Sequence, residues 1–187
     1  MKRILPFIAV LLAVTACRPE GPVLEIRGRI GGGFDGQKVY FCPQPHPTAD
    51  IVDSTVVKGG TFFFRIPADS LYVADLTLSR RAPGYAERLL IAVEPGILDV
   101  TLGAPSSAHG TPVNEALQAW KEHLQGGDPE DAKRSTFDLV RRYPDAVGGY
   151  LYMLFGRLFD PEQRQLLDSL GYDKLIPDVS TRRQKKN

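Results

Sequence analysis

The hydrophobic period of this chain changes once, at Gly110, and that change limits it to a β-rich part followed by a helical part. Before Gly110 the apolar residues alternate with polar ones in short runs. Leu24-Glu-Ile-Arg-Gly-Arg-Ile30 shows the period of two expected of a half-buried strand. Gly31-Gly-Gly-Phe-Asp-Gly36 then turns the chain, and Asp35-Gly36 predicts a hairpin into a return strand over residues 37–41. Pro43, Pro45 and Pro47 are expected to stop further pairing. The runs 51–57 and 61–66 flank Lys58-Gly59-Gly60, which predicts a second hairpin. Runs over 71–78, 88–93 and 97–102 follow, with Glu94-Pro95-Gly96 as the last turn. About seven short strands without intervening helices predict an antiparallel β-sandwich or open barrel over residues 23–104.

After Gly110 the spacing is helical. Thr111-Pro112 reads as an N-cap and a proline at the first helical position, and Val113, Leu117, Trp120 and Leu124 recur on one face. Asp128-Pro129-Glu130-Asp131 opens a second helix to Arg142, its acidic residues at the positive end of the helix dipole. Pro144-Asp145 is expected to start a third, carrying Val147, Tyr150, Leu151, Leu154, Phe155 and Leu158. Asp160-Pro161 starts a fourth that should end at Gly171. The class is therefore α+β, a β domain followed by a small helical domain over 110–177. Residues 178–187 are polar and basic and are expected to be disordered.

Ahead of this body lies a leader. Lys2 and Arg3 are followed by an apolar run from Ile4 to Val14 and the small residues Thr15-Ala16. The run is about half of the roughly 20 residues that span a bilayer, so it predicts an export signal over 1–16 rather than an anchor. The residue after it is Cys17, and this segment resembles the lipobox of bacterial lipoproteins. That resemblance implies cleavage before Cys17, acylation of its sulfur and nitrogen, and a tether over 17–22. Two or three acyl chains would hold the protein on a membrane, where one would bind only marginally.

Removal of the leader takes Lys+Arg from 23 to 21 against 22 Asp+Glu, a balance of about −1 that argues against a nucleic-acid partner. With Cys17 carrying lipid, Cys42 is the remaining thiol; its place in Val39-Tyr-Phe-Cys-Pro43 suggests a buried side chain, and it is the candidate for a thiol contact. No Cys-x-x-Cys is present, and His46, His109 and His123 lack a second ligand at metal spacing, so neither a metal nor another cofactor is expected. Gly36-Gln37-Lys38 lacks the spacing of a phosphate loop. Asp53-Ser54-Thr55 offers a carboxylate and hydroxyls, but strand alternation separates Ser54 from the other two, and no nucleophile elbow exists. Tyr143, Tyr150, Tyr152, Phe155 and Phe159 recur at helical spacing and are expected, like Trp120, to pack a core. No catalytic residue is assigned.

The order of features between residues 24 and 114 has a known counterpart. Lys38-Val39-Tyr40, Ile51-Val-Asp-Ser-Thr55, Val57-Lys-Gly-Gly-Thr-Phe-Phe-Phe64, Glu94-Pro-Gly96 and Gly110-Thr-Pro-Val-Asn114 follow one another. This resembles a domain of unknown function found in Bacteroidetes lipoproteins, where it precedes a thioredoxin-like domain of the TlpA/AhpC type. Arg142-Tyr-Pro-Asp145 and residues 163–170 look like the connecting segment of those proteins. The thioredoxin domain has no counterpart in these 187 residues, so the resemblance implies no reductase activity and no site residues. The expectation is a non-catalytic envelope lipoprotein, a binding or scaffolding module on the periplasmic face of the outer membrane. Its partners would be the membrane through Cys17 and another envelope protein. The alternative is an accessory to a separate thioredoxin-like oxidoreductase.

Overall fold

A computed structural model describes residues 21–44, 53–79, 88–144 and 147–172. Cys17, His46, the leader and the basic segment from 178 onward lie outside these residues. Among these residues eight strands form two four-stranded sheets packed face to face, and four α-helices follow. The first sheet has the order β4 (Thr61–Pro67), β1 (Val23–Ile30), β7 (Gly96–Leu102), β8 (Ser107–His109). The second runs β3 (Asp53–Val56), β2 (Lys38–Gln44), β5 (Tyr72–Leu78), β6 (Leu89–Val93). The α+β sandwich expected from the alternation is present, and its pairing is mostly antiparallel.

Four details differ from expectation. β8 is an eighth strand, too short to show a period. β1 and β7 pair in parallel, from Leu24 beside Gly96 to Ile30 beside Leu102. Pro43 does not end β2: it stands opposite Ala74, and pairing continues to Gln44. Neither glycine turn makes a hairpin, because each carries the chain from one sheet to the other. The physical reason lies at one corner of the sandwich. There Asp35 accepts hydrogen bonds from the amides of Gly59 (3.0 Å) and Gly60 (2.9 Å), and Gly36 N–H donates to Val57 O (3.0 Å). Gly59 and Gly60 adopt positive φ (58° and 70°), which closes a Lys58–Thr61 bridge, but buried Val57 draws the preceding chain into the core.

The sandwich core fills from both inner faces, with Leu24, Ile26, Phe64 and Leu98 against Val39, Phe41, Leu76 and Ile91, all essentially inaccessible. Gly28 breaks the apolar alternation of β1 for a steric reason. It stands opposite Phe62, whose ring occupies the space a Cβ would need.

Helices α1 (Pro112–Gln125), α2 (Pro129–Arg142), α3 (Val147–Phe155) and α4 (Pro161–Ser169) build a second core. Val73 and Ala92, which point outward from the second sheet, belong to it. Trp120–Phe155 (centroids 5.8 Å), Phe137–Phe159 (5.5 Å) and Tyr152–Tyr172 (5.1 Å) meet edge-on within it, and Tyr152 stacks on Phe159 (6.2 Å). The third helix stops at Phe155 and passes into a 3₁₀ turn over Gly156–Leu158, which leaves Leu158 exposed instead of on a continuous helical face. The fourth ends at Ser169, two residues before Gly171. It begins as expected, in a capping box: Asp160 Oδ1 accepts from Gln163 N (2.8 Å), and Gln163 Oε1 accepts from Asp160 N (3.1 Å). No helix among the described residues is long and apolar enough to cross a membrane.

Candidate functional site

The position of α1 governs the surface around it. β6 and β8 are edge strands of opposite sheets, and α1 lies against both. Asn114 Oδ1 accepts from Ala92 N (2.9 Å) while Nδ2 donates to Ala92 O (2.8 Å) and to Thr111 Oγ1 (2.8 Å), so one amide side chain continues the β6 ladder. Lys121 Nζ donates to Leu90 O, the next outward carbonyl of β6 (3.2 Å). Gln118 Oε1 accepts from Ala108 N of β8 (3.2 Å). Edge strands left open would template further pairing, and α1 satisfies both.

Thr111 occupies the N-cap position as expected, but its side chain caps nothing. The acceptor is Glu94, whose Oε1 takes hydrogen bonds from Val113 N (2.7 Å) and Asn114 N (3.3 Å). Its carboxylate also suits the positive end of the helix dipole. Two motifs far apart in sequence, Glu94-Pro-Gly96 and Thr111-Pro-Val-Asn114, thus meet as one junction.

Burial of Lys121 lowers its pKa to about 8, which Glu122 only partly opposes. The unfolded chain holds this proton up to about pH 10.4, so between about pH 8 and 10 it binds more protons than the folded chain. Stability contributed at this residue therefore rises with pH across that window. In urea denaturation, the wild-type stability should gain on that of Lys121→Met between about pH 8 and 10; a parallel pair of pH profiles would refute this.

Cys42 and Asp75 face each other across β2 and β5 on the outer side of the second sheet. Cys42 is 8 % exposed. Burial pushes its thiol up, the negative charge of Asp75 adds to this, and the Thr77 hydrogen bond and Arg88 only partly offset it. Burial also pushes the Asp75 carboxyl up, against the pull of Arg88 (3.8 Å) and of Gln44 Nε2, which donates to Oδ2 (3.0 Å). Tyr150 rises for the same two reasons, burial first and Asp75 second. A thiol in this setting is protonated at neutral pH, the form that is neither nucleophile nor metal ligand. Iodoacetamide should modify Cys42 at least about tenfold more slowly in the folded protein than in urea; equal rates would show an accessible thiolate.

The remaining sequence candidates stay apart. Asp53 Oδ1 accepts from Ser54 N (2.7 Å), a local bond on an edge strand. His109 Nδ1 donates to Glu115 Oε2 (3.0 Å), and Glu115 Oε1 accepts from Gly110 N (2.8 Å). These contacts hold the Glu115 carboxyl below its usual range, His109 contributing most. Among the described residues no three His, Cys, Asp or Glu side chains are placed to hold a metal.

What sequence reasoning missed is a groove between α1 and α2. It encloses about 400 Å³ over a floor of Trp120 and Leu139, with Ala116 and Ala119 on one wall. The other wall is the stripe Asp131, Arg134, Asp138, Arg142 on α2. A second hollow of about 330 Å³ shares Ala119, His123 and Asp131 and reaches the α1–α2 turn, where Glu122 and Asp128 join. Together the two hollows carry four carboxylates against two guanidinium groups, with the acidity gathered at the turn. The floor is held rigidly: Trp120 Nε1 donates to Thr136 Oγ1 (2.9 Å), which itself donates to Ala132 O (2.7 Å). Such a surface can bind a side chain or peptide with apolar and basic character. The only sequence signal for it was the charge stripe of α2, which a solvated helix face also shows.

Neither a curated protein nor a solved structure matches the chain. A family model does, over residues 24–117, from the first buried residue of β1 through Asn114 on α1, and the chain therefore belongs to the family described as a domain of unknown function, DUF4369.

Proposed function

We propose that this protein is a non-catalytic module of the cell envelope, anchored to the periplasmic face of the outer membrane through acylated Cys17, and that it binds or scaffolds another envelope protein through the α1–α2 groove. The observation that carries the proposal is the groove: an aromatic and aliphatic floor between ionic walls, on helices fixed to both sheets. The buried polar side chains of Asp75, Thr111, Asn114 and Gln118, outside the groove, are engaged in holding the fold together. The leader and Cys17 support the anchored location.

The test is crosslinking in native membranes, comparing the wild-type chain with Ala119→Arg, which fills the groove. A partner crosslinked by wild type and lost from Ala119→Arg supports the proposal; a crosslink pattern unchanged by the substitution refutes it. Labelled palmitate should enter the wild-type chain and not Cys17→Ala. Turnover of a substrate, abolished by a single polar substitution, would overturn the non-catalytic reading. Recovery of a thioredoxin-like protein through the groove would favour the accessory role, by contact rather than by a mixed disulfide at buried Cys42.

A further inference from the structure

We infer that the protein pairs with a second copy of itself through the free edge of β4, joining the first sheets of two sandwiches into one. Each sheet has two edges, and α1 closes β6 and β8. The opposite edges are β3 and β4. β3 has four residues, whereas β4 has seven and carries Phe62, Phe63 and Phe64 in a row. An apolar edge of that length invites another strand unless charge, proline or a cover guards it.

The hydrogen bonds fix which backbone groups of β4 are free. Ile30 N–H donates to Gly60 O (2.9 Å), and Ala68 N–H donates to Pro22 O (2.8 Å). Phe62, Phe64 and Ile66, in step with Gly60 and Ala68, therefore turn their backbone groups toward β1. Thr61, Phe63, Arg65 and Pro67 turn theirs the other way. At one end Thr61 exchanges both its bonds with Lys58 (3.1 and 2.9 Å). At the other end Pro67 has no N–H. Among the described residues no backbone group meets those of Phe63 and Arg65 on that side, so both donors and both acceptors are open.

Those groups complement themselves about a two-fold axis at Phe64. Phe63 then stands opposite Arg65 of the second copy and exchanges both bonds with it, at two symmetric contacts. Centring the pair on Phe63 would set Arg65 against Thr61, whose groups Lys58 already holds. Centring it on Arg65 would set Phe63 against Pro67 and bring two guanidinium groups together. The side chains agree with the axis at Phe64. Phe63 is 49 % exposed, and Arg65 lies on the same outer face, where its Nη1 donates to Glu25 Oε1 (3.0 Å). Each ring thus meets an arginine across the interface, an attractive cross-strand pair made twice.

The test is native mass spectrometry of the full-length chain released from detergent, over a concentration series. The wild type should show a dimer that grows with concentration. F63R sets like charges opposite each other twice and should weaken the dimer about tenfold. F63R/R65F exchanges the two side chains, restores the pair at both contacts, and should return the dissociation constant toward the wild-type value. Phe63→Pro removes an outward donor without taking a bond from β1, and should weaken the dimer at least as much as F63R. A wild-type chain still monomeric at about 0.1 mM overturns the inference. So does a dimer indifferent to F63R or Phe63→Pro, or one that F63R/R65F fails to restore. The α1–α2 groove belongs to the helices, and α1 lies against the opposite sheet edges, so its crosslinking test stands whichever result is obtained.

Discussion

Asn114→Ala is expected to lower the stability of the protein by about 3 kcal/mol, the largest effect of any single polar truncation on α1. The estimate follows from what the side chain satisfies. It is fully buried, and its two polar atoms close both the N–H and the C=O of Ala92 on the outer edge of β6. Removing it strands those two backbone groups and takes the Asn114 donor from the Thr111 hydroxyl. A buried polar group left unpaired costs about 1–3 kcal/mol. For a domain of this size that corresponds to a drop in melting temperature of about 10 °C. Gln118→Ala should cost distinctly less, because it strands one amide, Ala108 N–H, through a longer bond (3.2 Å). Calorimetry of the two variants decides the matter: equal small losses would mean that α1 does not close the sheet edges.

Gly148→Ala should be as damaging, through crowding. An added Cβ would run into the Tyr172 hydroxyl and the carbonyl oxygens of Tyr143 and Val140. Two of these three atoms are backbone and cannot rotate away. The approach is fixed by Gly148 N–H donating to Tyr143 O (2.7 Å), and by Tyr172 donating to Val140 O, a carbonyl in the last turn of α2. Overpacking of a close contact costs about 1–3 kcal/mol and more when backbone must move, so a loss of about 3 kcal/mol is expected. Tyr172→Phe removes only the hydroxyl and should cost less. Urea titrations followed by Trp120 emission would show this order; a Gly148→Ala midpoint at the wild-type value would mean that α3 can move away from α2 freely.

The sequence reported local structure well and partner choice poorly, for a physical reason. Alternation located β1, β4 and β7, because each of these strands sees one wet and one dry face, whereas β5 is buried on both. Proline after a short polar residue marked the starts of α1, α2 and α4, because capping is decided within a few residues. The turns at Asp35-Gly36 and Lys58-Gly59-Gly60 were recognised, and both were misread as hairpins. A glycine turn records that the chain reverses; which sheet receives the next strand depends on Val57 and on the Asp35 carboxylate reaching residues some 25 positions away. The same holds at the candidate site. His123 and Trp120 were visible, but the groove exists only because two helices stand at a particular separation. Glu94 and Asn114 were visible too, as pieces of separate motifs, and nothing in the linear order says that one caps the helix carrying the other.

The parallel pairing of β1 with β7 has a consequence for how the molecule forms. β1 is central in its sheet, flanked by β4 and by a strand about seventy residues further along. The first sheet therefore cannot be finished until most of the sandwich sequence is available, whereas the second can grow from nearer neighbours. Closing so long a loop costs entropy before any contact repays it, and topologies with such distant partners fold slowly. A chain that emerges from its N-terminus thus presents β1 with half its hydrogen bonds open for the whole interval. That interval is when holding by another protein, or aggregation along β1, would decide the yield of folded material.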